Sequence, residues 1–220
     1  MKTAKLFIVA IDGSQGPLEV QTGARGLYDK YSARAGVNKE VEVVYMGRGG
    51  DVRSGEKFDK LSVGKVQIEK DDVVGMYLVA HCGDLTTAVF DHDLAAALKK
   101  LLDGRANGNA YKLDKVCMVV CKAATKQLKM DERLDENEEK TLIQRFASLL
   151  IKAGLKPRLA GWNGFVTVHP NGKKRILSST NLVEGFASEM SKSREKQKMV
   201  YVYEEGSGYL RRDYPTWTDK

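Results

Sequence analysis

The sequence predicts an α/β fold, with a mostly parallel central sheet and helices on both faces. Two observations predict it. Apolar runs rich in β-branched residues recur at Lys5–Ile11, Glu40–Met46, Val73–Ala80, Lys115–Val120 and Arg158–Trp162. Unbroken runs of this kind mark strands covered on both sides, the pattern of parallel sheets. Amphipathic stretches of helical period lie between several of the runs, and right-handed crossovers then place helices on both faces.

Each element has a local reason. Lys5–Ile11 is the first strand, and Asp12-Gly13-Ser14-Gln15-Gly16-Pro17 turns out of it. Pro17 suits the first position of a helix, because its missing N–H is not needed there. Leu18, Val20, Leu27, Tyr28 and Tyr31 give that helix an apolar side to about Arg34, interrupted by glycines. Glu40–Met46 is the second strand. Gly47-Arg48-Gly49-Gly50-Asp51 reads as a loop tip, and Val63, Val66 and Ile68 predict a short edge strand. Val73–Ala80 is the third strand, leading into a glycine-containing loop at His81-Cys82-Gly83. Asp93–Leu102 is an amphipathic helix with Asp91 or Asp93 near its N-cap.

Lys115–Val120 is the fourth strand, followed by a charged linker from Lys122 to about Leu134. The helix predicted over Asp135–Ala153 has an apolar stripe of Leu142, Ile143, Phe146, Leu149 and Leu150, and Gly154 stops it. Arg158–Trp162 is a fifth strand. Phe165–His169 and Lys173–Leu177 form a hairpin around Pro170-Asn171-Gly172. A helix over Thr180–Arg194, a strand at Lys198–Glu204 and a tail forming an extended segment or small hairpin complete the C-terminal β-hairpin region.

A chain of 220 residues has room for one domain with a full core, so residues 1–220 are expected to form a single unit. The first apolar run is too short to span a bilayer, is broken by Asp12 and has no small-residue cleavage site. No later run is long enough for a membrane helix, and a cytoplasmic protein without membrane association is expected. Three cysteines indicate no disulfide framework and fit a reducing compartment. The formal charge of +7 has two readings. Lysines scattered among acids make a solvated surface, or they attract an anionic partner such as nucleic acid or an inositol phosphate.

Two strand ends carry the chemistry. Val73–Ala80 runs into His81, and Lys115–Val120 runs into Cys121. Carboxyl ends of neighbouring parallel strands lie side by side, and ligands bind there. A histidine and a cysteine at two such ends could meet in space as a base and a thiol nucleophile while distant in sequence; a packed thiol and a structural or surface-exposed histidine are the plain alternatives. Cys121 closes its run with Lys122 beside it, and nearby positive charge favours thiolate. Cys117 lies inside the strand and reads as a packed small hydrophobe. Cys82 follows His81 and should point the opposite way, as strand neighbours do. Gly83 permits close backbone approach, and its amide could hold an oxyanion; an ordinary tight turn is the plain alternative.

Asp12 ends the first strand, where it could bind a cationic substrate side chain or cap the following helix. Trp162 and Phe165 read as core or pocket wall. His92, between Asp91 and Asp93, fits a polar helix start, and His169 belongs to the hairpin turn. A metal site from His81, Cys82, Cys117 and Cys121 is disfavoured, because Cys-x-x-x-Cys within a strand makes a poor knuckle. No cofactor motif is present; Gly47-Arg48-Gly49-Gly50 lacks the lysine and hydroxyl of a phosphate-binding loop.

Tyr77-Leu78-Val79-Ala80-His81-Cys82-Gly83 and Cys117-Met118-Val119-Val120-Cys121-Lys122-Ala123 resemble the caspase-like cysteine peptidases. Asp93–Leu98 and the stretch from Gly161 to Lys173 extend the likeness, most closely to the self-processing protease domains of bacterial toxins. The order of elements is similar from about Lys5 to Ile176. The resemblance implies a caspase-like three-layer sandwich and a His81–Cys121 dyad that cleaves a peptide bond through an acyl-enzyme. It also implies a protein or peptide substrate and a contribution of Asp12 and Trp162 to substrate binding, Asp12 suiting arginine or lysine. An anionic activator on a basic surface is a further implication. A non-catalytic α/β protein that binds nucleic acid or another anion is the alternative reading of the chain.

Overall fold

Phe7, Ile8, Val9, Ala10 and Ile11 have no solvent exposure at all. A strand so thoroughly buried must be flanked on both edges and covered on both faces. In the computed structural model this strand, β1 (Ala4–Asp12), lies between two parallel neighbours, β2 (Lys39–Gly47) and β3 (Val73–Ala80). The structure describes residues 4–12, 17–33, 39–53, 66–120, 142–162, 165–168, 171–172, 174–177 and 198–212. The remaining elements are α1 (Pro17–Ser32), α2 (Cys82–Phe90), α3 (Leu94–Ala106), β4 (Lys112–Val119), α4 (Leu142–Lys152) and β5 (Arg158–Trp162). They are followed by β6 (Phe165–Val168), β7 (Lys174–Leu177), β8 (Lys198–Glu204) and β9 (Gly208–Arg212).

The main sheet has the order β2-β1-β3-β4-β5-β8-β9. The first five strands in that row are parallel, and β8 and β9 continue it antiparallel. The fold is therefore α/β with a mostly parallel mixed sheet. The chain leaves β1 for β2 on one side and then crosses to β3 on the other. This reversal makes the carboxyl ends of β1 and β3 the switch point of the sheet, where open α/β folds form a ligand crevice.

Alternation along each strand sorts its side chains onto two faces. Phe7, Val9, Ile11, Met76, Leu78, Val116 and Met118 pack with α2, α3 and α4. Leu6, Ile8, Ala10, Tyr77, Val79, Cys117, Val119 and Trp162 pack on the other face with α1 and Val166 of β6. The glycines that interrupt α1 have a packing reason. A Cβ at Gly23 would lie 3.4 Å from both Val79 and Val168. The β6–β7 turn comes closer still: Gly172 has φ +71, and a Cβ there would sit 2.3 Å from the Gly26 carbonyl oxygen. The small residues let the hairpin lie directly on the helix.

Three local expectations change. His81-Cys82-Gly83 does not open a loop, because α2 starts at Cys82. Leu85, Ala88 and Val89, at helical spacing, are buried in the core and draw this weakly helical stretch into a helix. Val66 and Ile68 are buried but form no strand. The Ile68 N–H donates to the Arg105 carbonyl and the Val66 N–H to the buried Glu42 carboxylate, at 3.0 and 2.9 Å. β4 begins at Lys112, three residues before the expected Lys115, with Leu113 buried between charged neighbours. Val63, the whole charged linker, the start of the helix predicted from Asp135 and the helix predicted over Thr180–Arg194 lie outside the described residues.

Candidate functional site

The site is built on the switch point. β1 and β3 run in register, with Ile11 opposite Ala80, so the next residues, Asp12 and His81, end the two strands at one level. His81 keeps extended backbone angles, φ −71 and ψ 151. One more extended residue continues the alternation, and Ala80 and His81 therefore serve opposite faces. Ala80 packs with the α2–α4 cluster. The His81 imidazole lies on the α1 side, its Nε2 3.6 Å from Glu19 Oε2 in the first turn of α1. It is 30% exposed, enough for solvent or substrate to reach it.

Cys82 packs against the α2–α4 cluster, on the side opposite to His81, as expected for a strand-end neighbour. Cys117 is buried within β4, opposite Tyr77 of β3, in the α1-side cluster. Cys121 lies outside the described residues, as does the His169 turn position. The last described residue of that segment is the fully buried Val120.

Gly83 is the second residue of α2 and is exposed. The His81 side chain makes no capping bond to the helix. The Leu85 N–H donates to the His81 carbonyl at 3.0 Å, closing the first helical turn. The amides of Cys82, Gly83 and Asp84 precede that bond and have no carbonyl within the helix to meet. Together they carry the positive end of the helix dipole next to the imidazole. Such a pair of features, an imidazole beside amides that have no partner within their own helix, can move a proton and hold a developing negative charge.

Sequence reasoning did not single out three further charged groups at this edge. Glu19 is one. Asp84, 2% exposed, places Oδ1 3.8 Å from Arg48 Nε, while its Oδ2 has no hydrogen-bond partner. Arg48 belongs to the turn after β2, held by Gly47 N–H donating to Asp51 O at 2.8 Å and by close packing of Gly50 on Ala97. A signal existed for Glu19: it sits two residues after a helix-starting proline, and that helix follows the strand adjacent to the histidine strand.

Asp12 is placed by its backbone alone, level with Gly47 of β2. Trp162, at the end of β5, is 4% exposed and packs in the α1-side cluster. The ammonium groups of Lys174 and Lys198 lie 5.6 and 5.8 Å from its ring centre. His92 is exposed, and Asp93 rather than Asp91 caps α3, accepting from the Ala96 N–H at 3.0 Å. Asp91 instead closes the carboxyl end of α2. Among the described residues no cluster of three or more histidine, cysteine and acidic side chains could hold a metal ion. No described helix is long and apolar enough to cross a membrane.

No protein-family model and no curated protein sequence matches the chain.

Proposed function

We propose that the protein is a caspase-like cysteine peptidase with His81 and Cys121 as its dyad, acting on protein or peptide substrates in a reducing, cytoplasmic setting. The observation that carries this reading is the β3–β4 register. Val79 pairs with Val119 on adjacent parallel strands, and His81 and Cys121 each follow by two residues. Position 121 also has the parity of Cys117 and Val119, which share the α1 side of the sheet with Tyr77 and Val79. Adjacent strands are about 5 Å apart, so a continued register brings imidazole and thiol within reach of one another.

In this reading His81 accepts the Cys121 thiol proton. The thiolate attacks the carbonyl carbon of the scissile bond, and the amide of Gly83 stabilises the oxyanion. The tetrahedral intermediate collapses as His81 protonates the leaving amine. Water, activated by the neutral imidazole, then hydrolyses the thioester and restores the thiol. Asp12, ending the strand beside His81, supplies a carboxylate for an arginine or lysine preceding the scissile bond.

The test joins turnover to thiol labelling. Fluorogenic peptides with arginine or lysine before the reporter are expected to be cleaved, and Cys121→Ala and His81→Ala each to abolish cleavage while leaving the urea unfolding midpoint unchanged. Mass mapping after brief iodoacetamide treatment is expected to find Cys121 modified before the buried Cys117. Turnover surviving in Cys121→Ala, or three equally inert thiols in the native protein, overturns the reading. Absent turnover together with salt-sensitive nucleic-acid binding establishes the anion-binding alternative instead.

A further inference from the structure

We infer that Glu19 is a positioning residue for His81: its carboxylate, at the start of α1, sets the tautomer and orientation of the imidazole. The inference rests on the proposed role of His81 as the proton-transfer group. The observation behind it is separate: Oε2 of Glu19 lies 3.6 Å from Nε2 of His81, across the β1–β3 switch point.

A neutral imidazole has one N–H and one lone pair, and the partner of one nitrogen decides which is which. A carboxylate has only acceptor oxygens. Placed beside Nε2, it favours the proton there and leaves the lone pair on Nδ1. That nitrogen becomes the base. Once the imidazole takes the thiol proton, the same carboxylate faces an imidazolium and stabilises it. The placement follows from the fold. α1 begins at Pro17, Glu19 falls in its first turn, and β1 is the immediate neighbour of β3. The first turn of α1 is thereby brought to the strand end that bears the histidine.

The contact is 3.6 Å long, and Glu19 is 80% exposed. Its effect is therefore moderate and sensitive to salt. Other charged groups at this sheet edge, among the described residues, include Arg48 and Asp84, with Asp51 and Arg53 in the same turn as Arg48. Arg48 and Asp84 are engaged with one another, on the α2 side of the sheet.

The experiment reads the imidazole directly. The chain has three histidines, so ¹⁵N-histidine spectra assigned through His81→Ala report the His81 tautomer. At a pH where the ring is neutral, the wild type is expected to hold the Nε2–H form. Glu19→Ala is expected to give a mixture of tautomers, and Glu19→Gln, which keeps an acceptor oxygen, to restore the wild-type pattern. Cleavage by Glu19→Ala is expected to lose about fivefold in kcat with KM little changed, the size of an exposed ionic contact. An unchanged tautomer in Glu19→Ala overturns the inference whatever the activity. Loss of the tautomer preference in a protein that cleaves nothing keeps the Glu19–His81 contact and removes the peptidase reading, so the two failures are distinguishable.

Discussion

The two ends of the parallel strands are built differently. At the amino end, Lys5, Glu42 and Asp72 are buried and each has a charged partner, while Glu40, Arg158 and Asp114 are partly or well exposed. Lys5, 4% exposed, donates to Glu40 at 2.7 Å and lies 3.6 Å from Asp72. Arg105, at the end of α3, is bonded through two nitrogens to the buried Glu42, which also accepts from the Val66 N–H. Arg158 is bonded to Asp114 where β4 and β5 begin. At the carboxyl end the described contacts of Arg48 with Asp84 and of His81 with Glu19, at 3.8 and 3.6 Å, are both longer than the Lys5–Glu40 contact, and Glu19 is the most exposed partner among them. A buried charge needs a close partner, because water no longer solvates it. An edge that receives a ligand needs groups whose interactions are left incomplete. The amino end is arranged for stability; in the proposed reading the carboxyl end is the edge that meets substrate.

Several substitutions sharpen or break this contrast. The largest expected difference is functional: His81→Ala removes turnover entirely and leaves the unfolding midpoint where it was. Arg105→Met should do the reverse. It strands the Glu42 carboxylate with one backbone amide, costing about 3 kcal/mol in urea unfolding while thiol labelling stays unchanged. Gly50→Ala comes next, at about 2 kcal/mol, because Gly50 has φ +83 and a Cβ there would meet Ala97 Cβ at 2.6 Å. Arg48→Met is expected to cost about 1 kcal/mol, since the first turn of α2 still favours the Asp84 charge. Equal losses in Arg48→Met and Arg105→Met would erase the distinction between the two ends.

The smallest effect is a pH dependence on the outer surface of α3. The Lys99 hydrogen bond holds the Asp103 carboxyl below its ordinary value of 3.8; partial burial opposes this, and the Tyr111 hydroxyl adds to the lowering. A carboxyl lowered in the folded state stabilises it above the unfolded value, and that contribution is lost as pH falls through the folded value. Both partners are over 40% exposed, so Lys99→Met is expected to remove only a few tenths of a kcal/mol. Urea midpoints for the two proteins should differ at pH 6 and converge near pH 2. A gap that persists in acid would assign the effect to packing of the Lys99 stem.

Most of the strands were legible because their signal is local. Val73–Ala80 and Arg158–Trp162 are bounded as read, and the ends of the first two strands move by one residue. β4 was read three residues short because Lys112, Asp114 and Lys115 disguise its start; only Leu113 and the Arg158–Asp114 pair reveal that it is covered there. α2 was not legible. Gly83, Thr86, Thr87 and Val89 are weak helix formers, and the helix exists because Leu85, Ala88 and Val89 find a core to enter. Val66 and Ile68 show the opposite case, apolar residues buried by hydrogen bonding to α3 and β2 rather than by joining the sheet.

The candidate site divides in the same way. A histidine and a cysteine closing two apolar runs could be seen in the sequence, and strand alternation foretold that Cys82 turns away from His81. The Glu19 contact, the Arg48–Asp84 pair and the amides of α2 could not be seen. By itself the sequence determined where the chain becomes extended or helical and which residues end each run, because hydrophobic periodicity is written along the chain. Only the tertiary structure decided that β1 lies between β2 and β3, that His81 looks toward α1, and that a helix starts beside it. Those outcomes depend on which surfaces bury one another, and residues far apart in sequence settle that together.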